Sequence, residues 1–358
     1  MKFMFIKRGP LSNPDGISQF IFSVSDALIR LGHEVICLTS FDNNLVTVRQ
    51  NFDFSRYPEM EALHEQIPLR YASALAARLW VSRGKAIVNR HKPDFIVLNG
   101  GLPLRFSQPS ALLVHDIEAR KLFGSNIGRI VFKAITYRLV NQLIVTCPEL
   151  VEPVAQDSLC KANQFIVIPT CIDTKRYKPV SLDRRRPVIL HCGFPDYKQP
   201  LVTLKAFTCM QFQEAKLVMV GKFGPDIEAE IKNLPSQVRA RIDLPGIVSM
   251  ETLKELLTTS RVMSVPSQYN IPVASPTVLE ALASHTPPIV SPSISKIIVK
   301  EGHNCFVERT VEGIAKRFDE LMTSDKIWST LSQGCAETKL QFDSLIVARE
   351  YEELARKL

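Results

Sequence analysis

No stretch of this 358-residue chain approaches the roughly 18 uninterrupted apolar residues that a membrane-spanning helix needs. The apolar start of MKFMFIKRGP is also too short for a signal peptide. Secretion and membrane crossing are therefore not expected, and a cytoplasmic address is. Metal-ligand spacing is missing too. The eight cysteines, Cys37, Cys147, Cys160, Cys171, Cys192, Cys209, Cys305 and Cys335, show neither CxxC nor CxxH spacing. That argues against a structural zinc site and fits reduced, buried thiols. No Asp-x-Asp pair occurs, and nothing reads as a helix-turn-helix, a zinc finger or an aromatic-rich recognition motif. Nucleic acid is not an expected partner.

What the chain does have is length, apolar content and unevenly placed positive charge. At 46% hydrophobic it is long enough for two α/β domains. Between Arg70 and Arg138, 12 Lys and Arg stand against 3 Asp and Glu, a larger excess than the net +8 of the whole chain. Such a surface attracts anionic lipid, nucleic acid or a phosphorylated substrate, and charge alone does not choose among them. Two basic helical stretches, Ala77 to Lys92 and Arg129 to Leu139, mix apolar residues with cations. Each reads either as a core-facing helix with a solvated basic back or as a surface helix for an anionic membrane.

Along the chain, Lys2 to Ile6 reads as an apolar strand, and after a loop Ile17, Phe20, Ile21, Val24, Leu28 and Leu31 recur at helical spacing up to Gly32. Glu34 to Leu38 is the next strand, so the chain opens strand–loop–helix–strand, the start of a doubly wound sheet. Residues 42–70 are irregular and read as loop with short helices. The segment from Ile168 to Pro187 has the composition of a linker, after which the rhythm restarts with Val188 to Cys192 as a strand. The final FDSLIVAREYEELARKL reads as a helix with Leu345, Ala348, Tyr351, Leu354 and Leu358 on one face.

The most informative stretch runs from Ser264 to Ser291. A β-branched run ends at Pro266, a polar loop follows, and Pro276 stands at a first helical position with Ser275 as the expected cap. The helix start would leave the amides of Thr277 and Val278 unpaired, able to hold a phosphate, while Glu280 accepts from a sugar hydroxyl. An ordinary strand–loop–helix unit has the same outline.

Taken in order, DGISQFIFSVSDALIRLGHEVICLTS, IPTCIDTKRYKP, ILHCGFPDYKQPLVTLKAF, LVMVGKFGP, LPGIVSMETLKELLTTSRVMSVPS, VLEALASHTPPIVS and the closing FDSLIVAREYEELARKL resemble a GT-B-fold glycosyltransferase of the large retaining family 4. The resemblance implies an α/β fold of two Rossmann-like, doubly wound domains facing an inter-domain cleft. Residues 1–170 would form the acceptor domain, 171–186 a linker, 187–341 the nucleotide-sugar domain, and 342–358 a helix crossing back to the first domain.

The donor site it implies comprises Gly16, Gly193, Phe194, Lys198, Gly221, Asn270, Pro276, Thr277, Val278 and Glu280, with His115 and Lys198 in catalytic roles. Glu280 would bind ribose hydroxyls as an ionised, acceptor-only carboxylate. The chain departs from the family at Phe194, where an Arg is usual, at Asn270, where the first of two glutamates is usual, and at Gly16, the remainder of a glycine pair. Asp116 would orient His115 or cap the next helix. The implied reaction moves a sugar from a UDP- or GDP-sugar to an acceptor hydroxyl with retention. A glycan or lipid-linked acceptor would be held by an enzyme peripheral on an anionic membrane through 70–138. The absent Asp-x-Asp pair fits a metal-independent enzyme with no cofactor. The alternative is a catalytically degenerate protein of the same fold that serves as a binding or scaffold subunit.

Overall fold

The structure, a computed structural model, describes every residue except 8, 13–14, 40–47, 50–51, 53, 64–73, 101–104, 116–131, 194–195 and 270–271, and only the backbone of 74–81. By their internal contacts the residues divide into two compact units, Met1–Cys171 with Ser344–Leu358, and Ile172–Asp343.

In the first unit seven strands form one parallel sheet: β1 (Lys2–Lys7), β2 (Glu34–Thr39), β3 (Glu59–Ala62), β4 (Phe95–Asn99), β5 (Ser110–Val114), β6 (Gln142–Val145) and β7 (Phe165–Val167). Their order is β3-β2-β1-β4-β5-β6-β7, every pair parallel. The apolar runs FMFI and FIVL are buried along their whole length, as parallel strands covered on both faces require. Helix α1 (Gly16–Arg30) begins where the Asp15 carboxylate accepts from the Ser18 N–H, and the chain leaves it through Gly32 at φ +89°. β3 falls inside the region read from sequence as loop. Its alternating Glu59 and Glu61 hide a strand that pairs only at the sheet edge.

The second unit repeats the plan with six strands: β8 (Arg186–Cys192), β9 (Lys216–Val220), β10 (Ile242–Gly246), β11 (Ser260–Val265), β12 (Pro288–Val290) and β13 (Phe306–Val307). The order is β10-β9-β8-β11-β12-β13, again all parallel. Four helices matter below: α2 (Pro200–Cys209), α3 (Pro276–Ala283), α4 (Val311–Thr323) and α5 (Asp325–Thr338). Phe207, Phe318, Trp328, Ile189 and Val262 form the centre of this unit's core. Residues 172–186, read from composition as linker, fold with this unit. Ile172 N–H donates to the Phe342 carbonyl at 2.9 Å and Thr174 Oγ1 to the Asp343 carboxylate at 2.5 Å.

The closing helix α6 (Ser344–Lys357) packs on α1 with Val347, Ala348, Tyr351, Leu354 and Ala355 buried. The Tyr351 ring stands 6.1 Å from Phe5 and 6.3 Å from Phe20, edge-on or tilted. Leu358, placed on that face from the sequence, is exposed.

Of the two basic stretches, the first lies in the helix Ala74–His91, where Arg90 and His91 both reach the Glu61 carboxylate. In the second, residues 129–131 lie outside the described residues, and Lys133 is buried against Asp157 rather than on a solvated back. Among the described residues no helix is long and apolar enough to cross a membrane. In both sheets the winding direction reverses beside the first strand, between β1 and β4 and between β8 and β11. Open α/β sheets bind ligands at the carboxyl ends of the strands flanking such a reversal.

Candidate functional site

In the second unit β8 ends in Cys192 and turns at Gly193, whose φ of +106° suits only glycine and whose N–H donates to the Val220 carbonyl at 3.0 Å. A Cβ at this position would stand 3.2 Å from Lys198 Cγ, so the missing side chain is what lets the Lys198 stem lie against the turn. The turn is held from below by His191. Burial pushes that imidazole down to about 4, leaving it neutral at pH 7. Its Nε2–H must then donate to the Gly193 carbonyl (3.1 Å), and Nδ1 accepts from Thr203 Oγ1 (3.0 Å), which in turn accepts from Ser264 Oγ (2.8 Å). The relay ties the ends of β8 and β11 together.

Lys198 itself is buried and donates to Thr277 Oγ1 at 3.0 Å, joining the loop after β8 to the first turn of α3. Burial lowers its pKa, while Tyr197, Glu280 and Cys192 act in the opposite direction. Sequence reading placed a loop cation here; the structure places one already drawn into the sheet's carboxyl edge.

Helix α3 begins at Pro276 as expected, but two details of its start differ from the sequence reading. Ser275 makes no side-chain cap; its hydroxyl is buried with no partner among the described residues. Its backbone carbonyl instead accepts from the Val278 and Leu279 N–H groups at 3.1 and 3.2 Å, so the Val278 amide is already engaged. The Thr277 N–H alone keeps no acceptor among the described residues.

Glu280, half-buried one turn on, also accepts no hydrogen bond among the described residues. Burial pushes its carboxyl up to about 7, against the pull of Lys198 and Arg176. Near neutrality it is therefore only partly ionised, where the sequence expectation was a fully ionised acceptor.

Sequence reasoning missed the groups that surround this carboxyl from the strap before β8. Tyr177 is buried with its hydroxyl unpartnered among the described residues, and its pKa is raised well above the usual phenol value by burial and then by Glu280. Arg176 acts on both. Cys192 belongs to the same cluster, its thiol pushed up by burial and by Glu280. The only sequence signal was a run of linker composition, about 100 residues from Glu280.

Gly221 ends β9 at φ +140° and donates to the Gly246 carbonyl at 2.9 Å; none of its described bonds reaches Lys198, Thr277 or Glu280. Phe194 and Asn270 lie outside the described residues.

In the first unit, His115 follows β5 directly and stands by Asn99 at the end of β4. Its Nε2 is 3.2 Å from Asn99 Oδ1, and its ring meets Phe20 edge-on at 5.6 Å. Burial pushes it down to about 4, with Asp15 opposing and Lys7 adding to the fall. The ring is thus neutral at pH 7. With Nε2–H directed at Asn99, Nδ1 keeps a lone pair that has no partner among the described residues. Asp116, considered for orienting this ring, lies outside the described residues.

Gly16 is the first residue of α1 rather than part of the loop before it. Lys7 reaches this helix start, its Nζ donating to the Asp15 carboxylate (2.8 Å), Ser18 Oγ (2.7 Å) and the Pro10 carbonyl (3.1 Å). Asp15 stands where a second glycine would leave that helix end open.

The arrangement at β8 and α3 offers a cation, one free helix-start N–H and a carboxylate without a donor. An anion joined to a hydroxyl-bearing ring satisfies all three.

Residues 186–324 match the model of a domain described as "Glycosyl transferases group 1", and residues 14–176 that of "Glycosyltransferase Family 4". No curated protein matches the chain by sequence. Among solved structures, HepE of Anabaena in complex with UDP is 16% identical with a TM-score of 0.78 over 100% of both chains. Sucrose-phosphate synthase of Thermosynechococcus elongatus is 19% identical with a TM-score of 0.79, over 99% of this chain and 98% of that one. WaaG, a glycosyltransferase involved in lipopolysaccharide biosynthesis, is 12% identical with a TM-score of 0.70 over 99% of each. At such identities the likeness shows the fold.

Proposed function

We propose that the chain, which matches glycosyltransferase domain models over residues 14–176 and 186–324, transfers a hexosyl group from a nucleoside diphosphate sugar to an acceptor hydroxyl with retention at the anomeric carbon. The observation that carries this reading is the 3.0 Å bond from Lys198 to Thr277 beside the donor-less carboxylate of Glu280. It supports a diphosphate and a pentose being held side by side within one unit.

In the reaction the bond from the anomeric carbon to the distal phosphate oxygen breaks and the acceptor oxygen bonds the same face of that carbon. The acceptor's proton passes to the departing phosphate oxygen. Lys198 and the Thr277 N–H stabilise the charge that develops on the diphosphate, and the protein contributes mainly this field and positioning. In the first unit His115 is the acceptor-side residue, neutral and with Nδ1 open. UDP is the favoured nucleotide because the similar HepE fold was crystallised with it.

The acceptor class proposed is a lipid-linked or surface glycan precursor, on the basic segment from Arg70 to Arg138 and the likeness to WaaG. Flotation with anionic and neutral liposomes checks the membrane part. Binding to anionic vesicles alone supports it, and equal, negligible binding to both removes it.

The transfer itself is checked by incubating the chain with UDP-, GDP- and ADP-hexoses and a panel of glycolipid acceptors, with proton NMR of the anomeric centre. The expected product carries the donor's configuration. An inverted product contradicts the mechanism, and nucleotide binding without turnover favours the scaffold reading that Phe194 and Asn270 raised.

A further inference from the structure

At the carboxyl ends of β11, β12 and β13 lies a cavity of about 340 Å³ in which neither Lys198 nor Glu280 takes part. That size is at the small end of the range for small-molecule sites. Its apolar lining is Val202 of α2, Pro266, Pro292 and Ile314 of α4.

The Ser291 and Ser293 hydroxyls both reach the Ser267 carbonyl and lie 2.7 Å from each other, and Ser291 Oγ also accepts from the Ser293 N–H at 3.3 Å, so this pair is engaged within the protein. The Gln268 amide and the Arg309 guanidinium have no side-chain partner among the described residues, and both line the cavity. Glu308, also in the lining, is held by Arg317 at 2.8 Å, an arginine that pairs with Glu320 and Glu301 as well, and Arg309 makes no ion pair among the described residues.

Gln268 N–H donates to the Tyr197 carbonyl at 2.6 Å, which ties the loop after β11 to the loop after β8. Gln199, in the lining, is held in the left-handed region at φ +54° with its amide donating to the Asp196 carbonyl at 2.8 Å.

Each group has a counterpart in one kind of ligand. Proline and valine surfaces suit the C–H face of a pyranose, the Gln268 amide suits its hydroxyls, and a free guanidinium suits a carboxylate or phosphate through paired N–H bonds. A neutral sugar leaves the guanidinium unused, and a bare anion leaves the hydroxyl readers unused. We infer that this cavity is a second carbohydrate subsite that takes an anionic sugar unit, a pyranose bearing a carboxylate or a phosphate.

The test titrates glucuronate, glucose 6-phosphate and glucose into the whole chain, with and without saturating UDP, following ligand signals by saturation-transfer NMR. The expected result is that at least one anionic sugar binds about tenfold tighter than glucose or better, as a charge-assisted pair gives. Which of the two is preferred names the acidic group. UDP leaves this binding unchanged.

Arg309→Gln abolishes the preference without moving the melting temperature, since the guanidinium holds nothing in the described fold, and Gln268→Ala weakens all three sugars. Equal binding of glucose and both anionic sugars, a preference that survives Arg309→Gln, or displacement of the anionic sugar by UDP overturns the inference. The UDP arm also separates it from the proposed transfer, because loss of UDP binding alone leaves the sugar preference intact.

Discussion

Glu280 concentrates the chemistry of the second unit in a single carboxyl whose pKa burial has pushed up to about 7. A carboxyl with a folded-state pKa above its unfolded value holds its proton longer in the native chain than in the unfolded one. Its contribution to stability is therefore present at low pH and is lost as the pH rises from about 4.5 through about 7. The proposed ribose binding runs the other way, because gripping two pentose hydroxyls calls for an acceptor-only group. Uridine, which has the pentose without the phosphates, isolates that grip. Its affinity is expected to rise through pH 7 in the parent chain and to be flat in Glu280→Gln, by NMR titration. A flat profile in both removes Glu280 from ribose binding.

At this scale the sequence was informative where a residue's role is local. Pro276 at a helix start and Gly193 at a turn declare themselves through backbone rules. The Val278 amide did not, because whether a first turn closes on the cap residue's carbonyl depends on packing around Ser275. Nor did Tyr177, whose meaning depends on a carboxyl about 100 residues away.

The elements show the same division. Apolar runs such as FMFI and LVMV made the central strands legible, since a strand buried on both faces must be apolar throughout. β3, with two glutamates in four residues on a sheet edge, gave no such signal. Helix α5 holds an instructive glycine. Helix propensity treats Gly334 as a weak point that alanine would strengthen by about 1 kcal/mol. In the fold, a Cβ there would run into the His303 carbonyl, on a turn clamped to the same helix by Asn304 Nδ2 donating to Thr338 Oγ1 at 3.0 Å and by Cys335 Sγ against the Asn304 carbonyl. Gly334→Ala is expected to cost about 3 kcal/mol through overpacking against rigid backbone. Urea unfolding measures it. A variant as stable as the parent, or more stable, shows that the turn yields and that the contact is not a constraint.

For the whole molecule, the alternation of strand and helix stated two doubly wound sheets, and both are present with one reversal of order each. Composition misassigned the strap after Cys171, because its prolines and charges resemble a linker while Ile172, Thr174 and Tyr177 are buried in the second unit. The residues expected for a donor site lie at strand ends because the fold brings strand termini to one edge of a sheet. What the chain order could not state is which of them touch. Lys198 and Thr277, 3.0 Å apart across two loops, are the pair on which the account rests. Calorimetric titration of UDP into the parent chain and into Lys198→Ala tests it most directly. The account expects micromolar binding to the parent and a loss of about tenfold or more in the variant, the range for a hydrogen bond to a charged group. Parent and variant binding UDP equally, or a parent that binds none, would contradict it.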